Sequence, residues 1–266
     1  MASLVFDKYE GLGNDFIVVD ASSEQDVRVE LARALCDRHL GIGADGVILV
    51  LAPRTAGSRA SMVVLNADGT RPEMCGNGLR CVALHLARRQ RAVAESLVVD
   101  TDAGPLGCDV ERHGDTASVR TSMGRAQVHG QISRFFAGRQ HSLTHVSIGN
   151  PHAVLFDASY EAAEIDGFAP EISASLPGGS NVEIARLSGP RSIALVVWER
   201  GVGRTLACGT GAAATAVAAC TLGRSPFDEP LSIVLPGGAL EVEVARSLDV
   251  RLRGPARRVF SGEVTR

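Results

Sequence analysis

The chain has 266 residues, 45% of them hydrophobic, and its 30 acidic and 27 Lys or Arg side chains give a net charge of −3. This composition is typical of a globular protein with room for one large or two medium domains. The slight negative charge argues against a nucleic-acid or anionic-membrane partner. The longest apolar runs, residues 47–52 and 193–198, are too short to span a bilayer. The first residues lack the basic and apolar regions of a signal peptide, so we expect a cytoplasmic protein.

The hydrophobic pattern predicts many short strands and few helices. In chain order we expect strands at residues 17–20, 47–50, 61–65, 97–100, 117–121, 153–157, 193–198, 232–235 and 240–244, and helices at residues 29–39, 79–88 and 212–222. No low-complexity linker appears. The predicted halves are residues 1–124 and 125–254, with about 255–266 returning to the first half.

The segment Gly41-Ile42-Gly43-Ala44-Asp45-Gly46 matches the dinucleotide-binding pattern G-x-G-x-x-G. The functional motif follows a strand and opens a helix, whereas here a predicted helix precedes the glycines and a strand follows them. We therefore interpret the segment as a helix C-cap and turn, and not as an NAD site.

Two cysteines lie in the same local sequence frame. Cys75-Gly76-Asn77-Gly78 and Cys208-Gly209-Thr210-Gly211 each precede an apolar run, and they are 208 − 75 = 133 residues apart, half of the chain. Asn14 and Asn150 repeat at a similar offset, and Asn66 and Glu199 each lie nine residues before their cysteine. These matched landmarks indicate two homologous halves.

Each cysteine is predicted to stand at a helix N-terminus, where unpaired N–H groups and the positive end of the helix dipole favour a thiolate. The same N–H groups bind carboxylates, and the glycines of each turn let a substrate approach the backbone. Inversion of a carbon centre needs one group to remove a proton and a second group to return one on the other face. A pair of matched thiols suits that reaction, whereas two buried cysteines beside tight turns is the structural alternative.

No cofactor or metal is expected. Lys8 is the one lysine and lies in a strand-like stretch with no phosphate-binding loop, which argues against a pyridoxal phosphate Schiff base. The chain has no C-x-x-C pair for zinc, and a disulfide set is improbable in a reducing compartment. The other cysteines are expected to pack as small apolar residues: Cys36, Cys81, Cys108 and Cys220.

Several polar residues beside these turns are candidate site residues. His152 and Glu199 are candidates to tune the thiols, although His152 could instead be a structural turn residue. Arg200 is a candidate carboxylate clamp, with an exposed ion pair as the alternative. All five asparagines of the chain have Gly, Pro or Ser within three residues: Asn14, Asn66, Asn77, Asn150 and Asn181. They either form turns or use their amide groups to hydrogen-bond polar atoms of a substrate.

The chain resembles the diaminopimelate epimerases, and the resemblance covers nearly its whole length. The motifs that carry it are Gly13-Asn14-Asp15-Phe16, Asn66-Ala67-Asp68-Gly69, Met74-Cys75-Gly76-Asn77-Gly78-Leu79-Arg80-Cys81, Gly149-Asn150-Pro151-His152, Gly179-Ser180-Asn181-Val182-Glu183, Trp198-Glu199-Arg200-Gly201 and Ala207-Cys208-Gly209-Thr210-Gly211.

The resemblance implies an α+β fold of two pseudo-symmetric domains, each a mostly antiparallel sheet wrapped around a central helix. It implies a cofactor-independent epimerase that interconverts LL- and meso-2,6-diaminopimelate for lysine and peptidoglycan precursor synthesis. Cys75 and Cys208 would be the acid/base pair, tuned by His152 and Glu199. The implied substrate contacts are Asn14, Asn66, Asn150, Asn181, Glu199, Arg200 and the backbones of Gly76, Asn77, Gly209 and Thr210.

Three alternatives stay open at this point. The first is a sister racemase with the same two thiols and another amino acid, such as histidine. The second is a phenazine-type isomerase, which fits poorly because that branch lacks the paired thiols, and the third is a thiol redox protein. Some relatives carry Gln where this chain has Gly46, so that substrate contact is open. The oligomeric state is open as well, with a homodimer among the options.

Overall fold

Two units, each a mostly antiparallel sheet around a central helix, make up the α+β fold that the sequence predicted. The computed structural model describes residues 3–72, 75–157 and 159–265. Unit 1 comprises Met1–Thr121 with Gly254–Arg266, and unit 2 comprises Ser122–Arg253. Met74 of the first cysteine motif lies outside the described residues.

Unit 1 contains two helices, and its strands pair with one another in the order in which they occur in the chain. In chain order these are β1 (Ser3–Gly11), β2 (Asn14–Asp20), α1 (Val29–Cys36), β3 (Gly46–Leu51), β4 (Ala60–Asn66), α2 (Gly76–Arg89), β5 (Ala94–Thr101), β6 (Gly104–His113) and β7 (Thr116–Arg125). The β2–β3 and β4–β5 pairs are parallel, and the β1–β2, β3–β4, β5–β6 and β6–β7 pairs are antiparallel.

Unit 2 repeats this order of pairings. Its elements are β8 (Gln127–Phe136), β9 (Arg139–Ser147), β10 (Pro151–Phe156), α3 (Ile165–Ala174), β11 (Asn181–Gly189), β12 (Ser192–Glu199), β13 (Gly203–Thr205), α4 (Gly209–Thr221), β14 (Pro230–Leu235), β15 (Gly238–Val244) and the first part of β16 (Asp249–Thr265). The β10–β11 and β12–β14 pairs are parallel, and β9–β10, β11–β12, β14–β15 and β15–β16 are antiparallel. The two units therefore share one order of parallel and antiparallel strand pairs, as an internal duplication would give.

The central helices α2 and α4 are buried on all sides. Residues 77–87 of α2 are all buried, and so are residues 209 and 211–220 of α4. A helix that is apolar around its whole circumference belongs in a core, and the alanines of α4 are also the strongest helix formers. Both helices begin three residues earlier than the sequence predicted, because Cys75 and Cys208 act as their N-caps.

An outer layer on each unit is formed by a shorter helix. The predicted helix at residues 29–39 ends at Cys36, and the glycine-rich segment that follows is a turn, as expected. There Gly41 N donates to Asp37 O at 3.0 Å and Gly43 N donates to Leu35 O at 3.0 Å. The segment leads into β3 and opens no helix, so the structure supports the interpretation of residues 41–46 as a C-terminal turn.

The sequence did not predict α3, nor the strands β6, β8, β9, β11 and β13. Helix α3 contains Gly167 and an internal Pro170, both poor helix formers, and it is held by the buried face of Ile165, Phe168 and Ile172. Among the described residues, no helix is both long and apolar enough to cross a bilayer.

Asp100, at the end of β5, holds the loop that follows β3 in place. Its carboxylate accepts hydrogen bonds from Arg54 N at 2.7 Å, Thr55 N at 2.9 Å and Ser58 Oγ at 2.8 Å. Burial opposes ionisation, but these hydrogen bonds lower the pKa of Asp100 from 3.8 to about 2. Its stabilising effect is therefore complete above pH 4 and is lost as the pH falls through about 2.

We expect Asp100→Asn to lower the free energy of unfolding at pH 7 by about 1–3 kcal/mol, because an amide cannot accept all three hydrogen bonds. Thermal unfolding of both proteins at pH 7, 4 and 2.5 checks this. The difference between them should shrink at pH 2.5, and a difference that does not depend on pH would contradict the role of the ionised carboxylate.

Candidate active site

Cys75 caps the N-terminus of α2. Its Sγ accepts the N–H of Gly78, the third residue of the helix, at 3.3 Å, which is the usual geometry of an N-cap side chain. A Cβ at Gly78 would lie 2.8 Å from Ile48 Cδ1 and 3.1 Å from Cys75 Sγ. A side chain at Gly78 would displace these two atoms, and the cysteine lies at the positive end of the helix dipole, as the sequence predicted.

A buried arginine that the sequence analysis did not single out braces this turn. Arg80 is fully buried, and its guanidinium donates to Gly76 O at 3.3 Å, Asn77 Oδ1 at 2.8 Å and Pro255 O at 3.1 Å. Burial lowers the pKa of Arg80, and the nearby thiols of Cys81 and Cys75 oppose that shift. Arg80 therefore places a cationic group beside the Cys75 turn.

Two of the three asparagines of unit 1 are hydrogen-bonded at this turn. Asn77 donates to Asn14 Oδ1 at 3.1 Å, and Asn14 in turn donates to Asp45 Oδ2 at 2.7 Å. Asn66 lies apart from this chain of hydrogen bonds, at the end of β4, where its amide donates to Thr70 Oγ1 at 2.9 Å. The structure thus joins Asn14 and Asn77 directly.

Gly46 pairs with Asn66 across β3 and β4. A Cβ at Gly46 would lie 2.8 Å from the carbonyl oxygen of Leu65. No side chain fits there without a shift of the backbone, so this chain offers only main-chain atoms at the position where some relatives carry Gln.

Cys208 caps α4 in the same way. Its Sγ accepts the N–H of Gly211 at 3.4 Å and lies 3.4 Å from Thr210 Oγ1. The residue is 5% exposed. Burial, followed by the nearby carboxyl groups of Glu199 and Glu183, raises the pKa of Cys208, and the hydrogen bonds from Thr210 and Gly211 act in the opposite direction.

Glu199 and the recognition candidates of unit 2 cluster at the end of β12. Glu199 Oε1 accepts from Thr205 Oγ1 at 2.6 Å. The Arg200 main-chain N donates to Asn181 Oδ1 at 2.9 Å. The Arg200 guanidinium is exposed and donates to the main-chain oxygen of Gly178. Its role as a carboxylate clamp stays a prediction.

His152 has both ring nitrogens engaged within unit 2. Its Nδ1 lies 2.6 Å from Glu183 Oε1, and its Nε2 lies 3.0 Å from Asn150 Oδ1. His152 and Glu183 are both fully buried. The sequence analysis assigned no role to Glu183, although a single carboxylate in the apolar run at residues 182–185 was a signal that could have found it.

The other cysteines pack in the cores as expected. Burial raises the pKa of Cys36 and of Cys220 to about 11, and that of Cys108 to about 12. The described cysteines form no disulfide with one another. The alternative that the asparagines form turns holds for Asn150, which lies in a bend, and for Asn14 and Asn66, which flank turns at the ends of β2 and β4. Asn77 lies in α2 and Asn181 begins β11.

A cysteine caps the central helix in each of two like-built units, which is the arrangement that the resemblance to cofactor-independent amino-acid epimerases implies. The comparisons with known proteins agree. The family model described as diaminopimelate epimerase matches residues 6–129 and 144–259. The diaminopimelate epimerase of Desulforudis audaxviator is 40% identical over 98% of this chain and 99% of its own length.

Solved structures share the fold at low sequence identity. A predicted epimerase from Pseudomonas aeruginosa superposes with a TM-score of 0.77 at 16% identity, over 99% of both chains. A hydroxyproline epimerase from Agrobacterium vitis has a TM-score of 0.74 at 15% identity, over 99% of this chain and 91% of its own. The sequence matches are decisive for the family: the chain belongs to the diaminopimelate epimerases.

Proposed function

We propose that this protein interconverts LL- and meso-2,6-diaminopimelate by moving the α-proton between two thiols, Cys75 and Cys208. The observation that carries the proposal is the repeated turn in which each cysteine accepts the third N–H of its helix. Two equivalent proton carriers on matched scaffolds are what inversion at one carbon requires. The family membership and the 40% identical relative support diaminopimelate as the substrate.

In the proposed reaction the Sγ of one cysteine, as thiolate, takes the α-proton and the C–H bond breaks. The thiol of the other cysteine then gives its proton to the opposite face of the same carbon. The negative charge that develops on the substrate carboxylate would be stabilised by the N–H groups of Gly76, Asn77, Gly209 and Thr210 at the two helix starts. No electrons are gained or lost, and the two cysteines exchange their protonation states.

The remaining site residues would bind the substrate or adjust the protonation of the thiols. We assign the amides of Asn14, Asn66, Asn150 and Asn181 and the guanidinium of Arg200 to the polar ends of the substrate, and His152 and Glu199 to the protonation of the thiols. The product would serve lysine and peptidoglycan precursor synthesis. We place the protein in the cytoplasm, since reduced thiols at both turns suit a reducing compartment.

Incubation with LL-diaminopimelate in deuterated water, under reductant and without added cofactor, tests the substrate and the reaction together. We expect deuterium to appear at the α-carbon of the inverted product. Proton NMR measures this incorporation as loss of the α-proton signal. Protein alkylated beforehand with iodoacetamide is the control and should show no exchange. Exchange with histidine and none with diaminopimelate would overturn the proposal in favour of a sister racemase.

A further inference from the structure

Four side chains of unit 1 form an unbroken chain of hydrogen bonds that runs from a guanidinium to a carboxylate. Arg80 donates to Asn77 Oδ1 at 2.8 Å, and the amide nitrogen of Asn77 donates to Asn14 Oδ1 at 3.1 Å. Asn14 in turn donates to Asp45 Oδ2 at 2.7 Å. A guanidinium can only donate hydrogen bonds, and an ionised carboxylate can only accept them. The two ends of the chain therefore fix which way both amides point.

Reversing an amide anywhere in this chain would place like atoms in contact. If Asn14 turned its oxygen towards Asp45, two acceptors would face each other, and its nitrogen would face the nitrogen of Asn77. If Asn77 turned as well, its nitrogen would face the guanidinium of Arg80, which has no acceptor. Each such contact removes a hydrogen bond and leaves a polar group unpaired, which is costly away from water. One orientation of the two amides is therefore strongly favoured.

Asp45 is held so that its carboxylate stays at the end of this chain. Its main-chain N donates to Asp15 O at 2.9 Å, and its main-chain O accepts from Ala67 N at 2.9 Å. Its Oδ1 accepts from the Arg38 guanidinium at 2.7 Å. Its Oδ2 accepts from Asp15 N at 3.1 Å as well as from Asn14. Main chain and side chain are thus both fixed.

Two cations face the two carboxylates of this cluster. Arg38 also donates to Asp15 Oδ1 at 2.7 Å, and the Nζ of Lys8, the one lysine of the chain, lies 2.7 Å from Asp15 Oδ2. Burial opposes the ionisation of Asp15, but the hydrogen bonds from Arg38 and Lys8 lower its pKa to about 2. Asp15 therefore stays ionised at neutral pH and keeps Arg38 in place beside Asp45.

The turn at Cys75 does not itself require an asparagine. In the matching turn of unit 2 the residue two places after the cysteine is Thr210, and its hydroxyl lies 3.4 Å from Cys208 Sγ. The same helix start therefore forms around a short hydroxyl side chain. The amide of Asn77, and the chain of hydrogen bonds that orients it, points to a role in the site.

We propose that Asp45 is a positioning residue that holds the amide of Asn14, and through it the amide of Asn77, in the orientation that the substrate meets. The inference rests on the function proposed above, in which Asn14 contacts the substrate. In this orientation Asn14 Nδ2 keeps a second hydrogen and Oδ1 keeps a second lone pair. Without the carboxylate the amide would turn over, and the substrate would meet oxygen in place of nitrogen.

A double-mutant cycle between Asp45 and Asn14 tests this. Asp45→Asn keeps the shape of the side chain, but the new amide would turn its oxygen to Arg38 and its nitrogen to Asn14. We expect kcat/KM for diaminopimelate to fall roughly tenfold, mainly through a higher KM, because the amide of Asn14 is forced round. In an Asn14→Ala background the same substitution should change kcat/KM by less than about twofold, because no amide is left to orient.

Asp109→Asn is the matched control. It removes the same charge from an exposed position on β6, where the carboxylate accepts from Ser96 Oγ at 2.7 Å. It should leave kcat/KM within about twofold, since salt screens exposed charges. An equal fall caused by Asp45→Asn in both backgrounds would overturn the proposal, because Asp45 would then act on the fold and not through Asn14. An unchanged kcat/KM in folded Asp45→Asn would overturn it as well.

Hydrogen exchange of the side-chain amides gives a second test that needs no substrate. The chain has five asparagines, so protein labelled with nitrogen-15 asparagine gives few side-chain signals, which Asn14→Ala and Asn77→Ala assign. We expect the amides of Asn14 and Asn77 to exchange at least roughly tenfold more slowly than in unfolded protein. Unprotected amides would overturn the proposal. If Asp45→Asn does not fold by circular dichroism, this result decides alone. Protected amides in a protein inactive on diaminopimelate would refute the proposed function only.

Discussion

Replacing either Cys75 or Cys208 with alanine is expected to lower kcat/KM for epimerisation by about a thousandfold or more. Positioned acid–base groups contribute factors of roughly 10²–10⁴ each, and a two-base reaction has no second route when one carrier is missing. Circular dichroism of the alanine variants should match the unaltered protein, because each cysteine is an N-cap whose loss leaves the buried helix packed. Steady-state rates measured in both directions under reductant check the expectation.

Each helix supplies its own control. Cys81 lies in α2 and Cys220 lies in α4, both are buried, and neither caps its helix. Cys81→Ala and Cys220→Ala remove a thiol of the same kind and should keep kcat/KM within about threefold, since the change in packing is small. Retention of more than a tenth of the activity in Cys75→Ala or Cys208→Ala would show that its thiol is not a proton carrier.

Gly41→Ala is expected to give the largest loss of stability. A Cβ at Gly41 would lie 2.1 Å from Ala34 O and 2.8 Å from Leu35 O, and main-chain atoms cannot move aside as a flexible side chain can. We expect the free energy of unfolding to fall by about 3 kcal/mol or more. The corresponding fall in Tm is roughly 10 °C, measurable by differential scanning calorimetry.

Gly167→Ala is the matched control. Gly167 lies within α3, and a Cβ there would meet nothing within 4 Å. Alanine is the better helix former, so this variant should keep or slightly raise the Tm. Equal destabilisation by both substitutions would mean that the close approach at Gly41 is not the cause.

The sequence predicted the parts of the fold and site that depend on short-range chemistry. The turn at Cys75 and the turn at Cys208 were recognisable because an N-cap and its glycines lie within four residues of each other. The repeat was readable because the offsets between landmarks survive in the chain. The glycine-rich segment at residues 41–46 was distinguished from a nucleotide site by the order of its neighbours alone.

What the sequence did not predict depends on long-range contacts. Glu183 meets His152 across 31 positions of the chain, and Arg80 reaches Pro255 across 175. Local propensity also misleads where tertiary packing decides. Helix α3 forms despite Gly167 and Pro170 because its apolar face is buried, and β8 has few buried side chains to give a periodic signal.

The repeated architecture with unlike neighbours has a consequence for how such a catalyst can arise. An assembly of two identical half-length chains would present two thiols in the same surroundings, and neither could differ from the other at rest. Once both halves are encoded in one chain, mutations can accumulate in one copy alone. At equivalent places in the strand pairs β2–β3 and β10–β11, the apolar pair Phe16 and Ile48 and the ionisable pair His152 and Glu183 are a difference that an assembly of identical chains could not carry.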